Sequence, residues 1–169
     1  AVSQCVRDSG ADPSEIVALS LDNASCTVLA TDEEGQPLCP ALLWMDVRAH
    51  DQAARVTSTQ DPILRYVGHI ESPEWMIPKA MWIKENEPEV YDRADKIVES
   101  IDWLNYKLTG CWMACLNNVT CKWNYATPLG GWSGALLSDL DMEDLAGKWP
   151  AEVLPVAAPL APLLPSVAR

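Results

Sequence analysis

The chain has 169 residues, enough for one domain and too few for two ordinary ones. Hydrophobic residues make up 49% and charged residues 21%, the balance of a globular protein with a core. Twelve Lys and Arg face 24 Asp and Glu, and the net charge of -12 argues against a nucleic-acid partner and against a basic membrane-surface helix.

Residues 1–9 read as the last turns of a helix, with Val2 and Val6 at helical spacing and Gly10 as the stop. Asp12 and Pro13 end that region. Ile16 to Leu21 alternate and are β-prone, and Cys26 to Ala30 repeats the signal. Asp22 to Ser25 is a short polar crossing between them. Asp32-Glu33-Glu34-Gly35 is a hairpin turn, and Pro40 to Met45 is the predicted returning strand, with Asp46 just past its end.

Residues 47–58 are helical, with Val47, Ala49, Ala53, Ala54 and Val56 as the apolar stripe. A short helix over 61–68 has Asp61 as N-cap and Pro62 at the first helical position. Ser72-Pro73-Glu74 opens a third helix running to about Asn86, with Met76, Ala80, Met81 and Ile83 as its buried face. Pro78 predicts a kink or a delayed start there. Lys79 and Lys84 read as a charged helix face with Glu74 and Glu87. Pro88 and Tyr91 belong to a short helical turn. Lys96 to Glu99 is a brief strand, and Ser100 or Asp102 caps a helix through Leu108 that Thr109-Gly110 ends.

Residues 111–126 are β-like and Trp-rich, and Gly130-Gly131 breaks the chain. Residues 132–149 hold one or two short helices, the second capped by Asp141. Five prolines from Pro150 to Pro165 forbid a continuous helix and leave two readings, an extended strand with its connection or a loose tail. The mix is α/β or α+β with helices dominant. The start at Ala1 and this apolar end predict a domain cut from a longer protein.

Six cysteines stand at 5, 26, 39, 111, 115 and 121. Without a secretion signal they read as reduced, partly buried thiols; a secreted, disulfide-linked module is the competing reading. They lack paired zinc spacing, and His50 and His69 are remote from them, so no metal site is expected. Neither G-x-x-x-x-G-K-S/T nor G-x-G-x-x-G is present, so independent nucleotide binding has no sequence support.

Three segments carry a family likeness: residues 21–49 (LDNASCTVLATDEEGQPLCPALLWMDVRA), residues 71–110 (S-x-E-W-M-x-P-K at the start, D-W-x-x-x-x-L-T-G at the end), and CKWNY with GGW at 121–125 and 130–132. In this order they resemble the FGGY carbohydrate kinases, and within them the ribulokinase-like pentulose kinases. The resemblance implies an α/β fold, a partial ribonuclease H-like (actin-like ATPase) domain with a mixed sheet and helices. Residues 1–169 would be the central and later part of the N-terminal sugar-binding domain, with the nucleotide-binding domain absent. The family's G-x-x-x-G-x-L turn is replaced here by alanines and prolines over 156–163.

The implied activity is ATP-dependent phosphorylation of a pentulose hydroxyl in the intact parent, with ATP and Mg2+ as its cofactors and none bound by this chain alone. The parent's catalytic aspartate would lie outside this chain. The resemblance assigns Trp75 to packing on the ketose, Lys122 to donating to sugar oxygens, and Ser25 with Ala24 to the sugar-contact loop. An indole offers an apolar face to C–H groups and one N–H donor. Lys122, read as lying on a strand, would point opposite to Cys121 and Trp123. Asp46 and Arg48, past the strand end, are expected as a supporting salt bridge, either orienting the loop as a pair or reaching the cleft. Expected partners are a pentulose and the missing C-terminal kinase domain, with no nucleic acid and no membrane, in the cytoplasm. The alternative is a non-catalytic interaction domain derived from a sugar kinase, whose Trp-rich face binds a partner or forms a homodimer.

Overall fold

The computed structural model describes residues 2–168. Helix α1 (Val2–Ser9) is followed by an extended stretch, and none of residues 2–25 is buried. Strand β1 (Val28–Thr31) is buried along its whole length. It pairs antiparallel with β2 (Lys96–Glu99), Val28 opposite Glu99 and Thr31 opposite Lys96. On its other edge single bridges join Val28 to Leu42 and Thr31 to Pro37. The hairpin turn forms as the sequence predicts: Gly35 takes φ 69, and the Asp32 carboxylate accepts from the backbone N–H groups of Glu34 and Gln36 at 3.1 and 2.8 Å. A Cβ on Gly35 would run into the ring of Tyr106.

Helices α2 (His50–Thr59), α3 (Met76–Asn86) and α4 (Pro88–Arg93) cover one side of this pair. Ala53 and Val56 bury the α2 face, together with Ala49 at its N-cap, whereas Val47 and Ala54 are exposed. Seven of the eleven residues of α3 are buried, among them Met76, Ala80, Met81 and Ile83. Pro78 sits in the first turn, where its missing N–H has no intrahelical role, so the start is delayed to Met76. The predicted N-cap at Asp61 holds: its carboxylate accepts from Ile63 N–H at 2.8 Å and opens a 3-10 turn over Pro62–Val67.

The second half is built from α5 (Ser100–Thr109), β3 (Ala114–Cys115), α6 (Leu116–Lys122), β4 (Tyr125–Ala126), β5 (Gly131–Trp132), α7 (Gly134–Asp139) and β6 (Val153–Leu154). β3 pairs parallel with β6, and β4 antiparallel with β5. Trp123, Trp132 and Trp149 stack into one aromatic cluster, with centroids 4.8 to 6.3 Å apart. This cluster joins the core of β1, β2 and α3.

Several expectations are overturned. Ile16 to Leu21 forms no strand, because no neighbour supplies a hydrogen-bonding edge and these side chains find no core. Pro40 to Met45 keeps one bridge, at Leu42, and otherwise turns out into solvent. The β-like stretch 111–126 contains helix α6, since Leu116, Val119 and Trp123 fall on one helical face and reach the core together. Asp141 adopts φ 56 and does not cap; the last 3-10 turn, Glu143–Lys148, begins after Met142. Asp102 is buried in the first turn of α5 and makes no cap. All six cysteines are unpaired. Among the described residues no helix is long and apolar enough to cross a membrane.

Candidate functional site

The site is built around the bend at residues 22–26, which the chain crosses before entering β1. Two lysines from different helices hold two successive carbonyls of this bend. Lys122, the last residue of α6, donates to Ser25 O at 3.0 Å across 97 residues of sequence. Lys79, one turn into α3, donates to Cys26 O at 2.8 Å and to Leu43 O at 2.7 Å. The bend, the 42–44 segment and both helices are therefore tied at one point.

Glu99, at the end of β2, closes the knot. Its Oε1 accepts from Trp123 Nε1 at 2.6 Å and from Ser25 Oγ at 3.2 Å. Burial raises the Glu99 pKa, and these hydrogen bonds oppose that rise. Asp102 lies close by, and burial, with Glu99 beside it, pushes its carboxyl well up. Burial pushes the Lys79 pKa down. Asn23 extends the bend outward by donating to Ser100 Oγ at 2.5 Å.

The two lysines differ in what they can still do. Lys79 is fully buried and spends its donors on backbone carbonyls. Lys122 is half-buried and has one hydrogen bond among the described residues, which leaves two of its three donors for a ligand oxygen. Ala24 is exposed and Ser25 half-buried, so backbone and small side chains are open on the same bend.

Ser25 and Lys122 are thus brought together directly, although Lys122 sits at a helix end and not on the strand expected for it. Trp75 is half-buried at the N-cap of α3. Lys79 follows it by four residues, one helical turn on, and binds the peptide next to Ser25. Asp46 and Arg48 form the expected pair: Arg48 Nε lies 3.0 and 2.9 Å from the two carboxylate oxygens, and Nη2 lies 2.8 Å from Oδ2. The Arg48 hydrogen bonds hold the Asp46 pKa down. The guanidinium lies 4.7 Å from the centroid of the Trp82 ring, so the pair also contacts α3.

Sequence reasoning missed three members of this knot. Lys79 was placed on a charged surface face; it is buried, because the neighbouring carbonyls needed a donor. Glu99 ends the brief strand expected over 96–99 and Trp123 lies inside the β-like stretch 111–126, and nothing local in the sequence links the two. Trp44 is a further neighbour: its N–H donates to Thr27 Oγ1 at 3.2 Å, and the residue is 44% exposed in an exposed row with Leu43, Met45 and Val47. The signal available was an apolar run ending where the hairpin strand should end.

Two concavities, of about 580 and 430 Å³, lie elsewhere. The first is lined by α2, α3 and residues 139–142, the second by the β4–β5 turn and Trp132; neither includes Ser25, Trp75 or Lys122. Outside both, Ala24 stays exposed and Ser25 and Lys122 half-buried. The groups left open on the bend, the Lys122 ammonium as donor, the Ser25 hydroxyl oxygen as acceptor and small-residue backbone, have the chemistry to meet a polyol.

The chain matches the FGGY family of carbohydrate kinases, N-terminal domain, over residues 1–168. It is 36% identical to a ribulokinase of Bacillus licheniformis over 64% of this chain and 22% of that protein. It is 32% identical to an FGGY carbohydrate kinase domain-containing protein of Homo sapiens over 95% of this chain and 31% of that one. The crystal structure of a xyloylose kinase from Brucella ovis superposes with a TM-score of 0.86 at 22% identity, covering 99% of this chain and 34% of that one. The chain thus spans between about a fifth and a third of the length of these proteins. The structural likeness shows the fold, an actin-like ATPase domain of mixed α/β type. With the family match running from residue 1 to residue 168, the chain belongs to the FGGY family of carbohydrate kinases, as its N-terminal domain.

Proposed function

We propose that this chain forms the sugar-binding wall of a ribulokinase-like enzyme that phosphorylates a hydroxyl of a pentulose with ATP. The observation that carries the reading is the Lys122 ammonium held 3.0 Å from Ser25 O, with donors to spare, beside an open bend of small residues. Such a bend lets a ketose approach the backbone closely. Lys122 would donate to its oxygens, and Trp75 would offer an indole face to its C–H groups. Ribulokinases among the relatives favour a five-carbon ketose.

Phosphoryl transfer also needs an in-line phosphate, a carboxylate to accept the hydroxyl proton, and exclusion of water. In this reading the nucleotide, its Mg2+ and the catalytic aspartate belong to the rest of the enzyme, and the open wall is completed by a C-terminal domain closing over it. This chain's residues bind and orient the sugar. Alone, it would show no phosphoryl transfer. Six unpaired thiols suit a reducing compartment, and the reading places the enzyme in the cytoplasm.

The test is a steady-state assay of the full-length enzyme carrying this segment, with ATP and a panel of ribuloses and xyluloses. ATP-dependent phosphorylation of at least one pentulose is expected. Lys122→Met should raise the sugar KM by about tenfold to a hundredfold, the loss of a charge-assisted hydrogen bond, with the ATP KM unmoved. Absence of activity on every ketose would overturn the reading. The exposed row Leu43, Trp44, Met45 and Val47 favours one alternative, a non-catalytic interaction domain. A tight homodimer with no response to sugar would select it.

A further inference from the structure

Glu71 and Asn124 form a buried polar pair that the sugar-site reading does not use. Glu71 is 4% exposed and Asn124 1%. Asn124 Nδ2 donates to Glu71 Oε2 at 2.6 Å, bridging 53 residues of sequence. The two remaining oxygens, Glu71 Oε1 and Asn124 Oδ1, are buried without a donor among the described residues. Two acceptors left bare in a core are costly, and a proton on the carboxyl gives this pair a donor it otherwise lacks. Burial, opposed in part by the Asn124 hydrogen bond, pushes the Glu71 pKa from 4.5 up to about 8. The pair at neutral pH is thus a neutral acid facing an amide.

Its position gives it a task. Glu71 stands four residues before Trp75, and its N–H is fixed to Thr57 Oγ1 on α2 at 3.0 Å. Between them the chain is a tight turn, with Trp75 N–H donating to Ser72 O at 3.0 Å. Asn124 stands two residues after Lys122 and holds φ 52, a left-handed conformation in which the chain leaves α6. Trp123, between them, is itself fixed to Glu99. One hydrogen-bonded pair therefore joins the turn that carries Trp75 to the turn that carries Lys122.

We propose that Glu71 and Asn124 are positioning residues: they latch the Trp75 turn to the Lys122 turn and so set the spacing of the two groups that hold the ketose. The proposal rests on the sugar-site reading of the preceding section. The latch touches no sugar atom; it acts through the two residues that would.

The test uses the full-length enzyme and three variants. Asn124→Gly removes the amide while glycine keeps the left-handed backbone at no steric cost. Glu71→Ala removes the acid. Glu71→Gln keeps the hydrogen bond, since its amide oxygen can accept from Nδ2 of Asn124, and its NH2 supplies donors in place of the acid proton. Asn124→Gly and Glu71→Ala should each raise the sugar KM about tenfold, with kcat within about twofold and the ATP KM unchanged, and the double variant should be no worse than either alone. Glu71→Gln should keep the sugar KM of the unsubstituted enzyme. If Glu71→Ala fails to fold, Asn124→Gly with Glu71→Gln decides the matter. A sugar KM unmoved in Asn124→Gly, or sugar and ATP KM rising together, overturns the latch while leaving the sugar site standing. An unsubstituted enzyme inactive on every ketose overturns the sugar-site reading, and the latch with it.

Discussion

Residues 16–21 and 26–30, on either side of the bend, have similar composition and opposite fates. Residues 11–20 contain Ile16, Val17 and Leu19, and Val17 is 95% exposed. A few residues on, Cys26 and Val28 are 0% and 1% exposed. Local preference does not separate them, since both segments are β-prone. What separates them is company: Val28 has Glu99 on one edge and Leu42 on the other, and Ser25 and Cys26 have a lysine each. Partners distant in sequence, and not local preference, decide which of the two segments is buried.

Lys79→Met gives the sharpest break in that comparison. It keeps the buried stem and removes the donor to Cys26 O and Leu43 O, so the knot should lose about 3 kcal/mol in urea unfolding, the cost of two orphaned carbonyls. A loss under ~1 kcal/mol would mean that the surrounding packing, not the ammonium, holds the bend.

The buried acid Glu71 gives the next largest effect. Its folded pKa, about 8, lies above its ordinary 4.5, so its contribution is full below pH 4.5 and is lost as pH rises through about 8. Unfolding free energy should therefore decline across that window, and Glu71→Gln should flatten the decline. Denaturation curves taken at pH 5, 6, 7 and 8.5 test this, and an unchanged slope in Glu71→Gln refutes it.

Gly35→Ala probes the turn that starts the return of the hairpin. The positive φ and the ring of Tyr106 both oppose a Cβ, and a cost of about 1–3 kcal/mol is expected in thermal melts. At the other pole of the comparison, Val17→Ser should change stability by no more than ~0.5 kcal/mol, because nothing packs on that side chain. A larger loss would show that the 11–20 stretch is ordered against the rest of the protein.

By itself the sequence determined the local punctuation and the family. The Asp32–Gly35 turn, the Asp61 cap, the delayed start at Pro78 and the α3 core face were all legible, because each depends on residues within one turn of each other. The motif order around Trp75 and Lys122 was legible as well, since spacing survives without knowledge of contacts. Only the tertiary structure decided that Ile16–Leu21 is no strand, that 116–122 is a helix, and that Lys79 is buried. Lys79 and α6 depend on partners distant in sequence (Cys26 lies 53 residues from Lys79, and Glu99 24 residues from Trp123), Ile16–Leu21 finds none, and a single line of residues carries no distance between such partners. Propensities set what a segment can do alone; the free energy of burying Trp123 and of giving the Ser25 and Cys26 carbonyls their donors set what it did here.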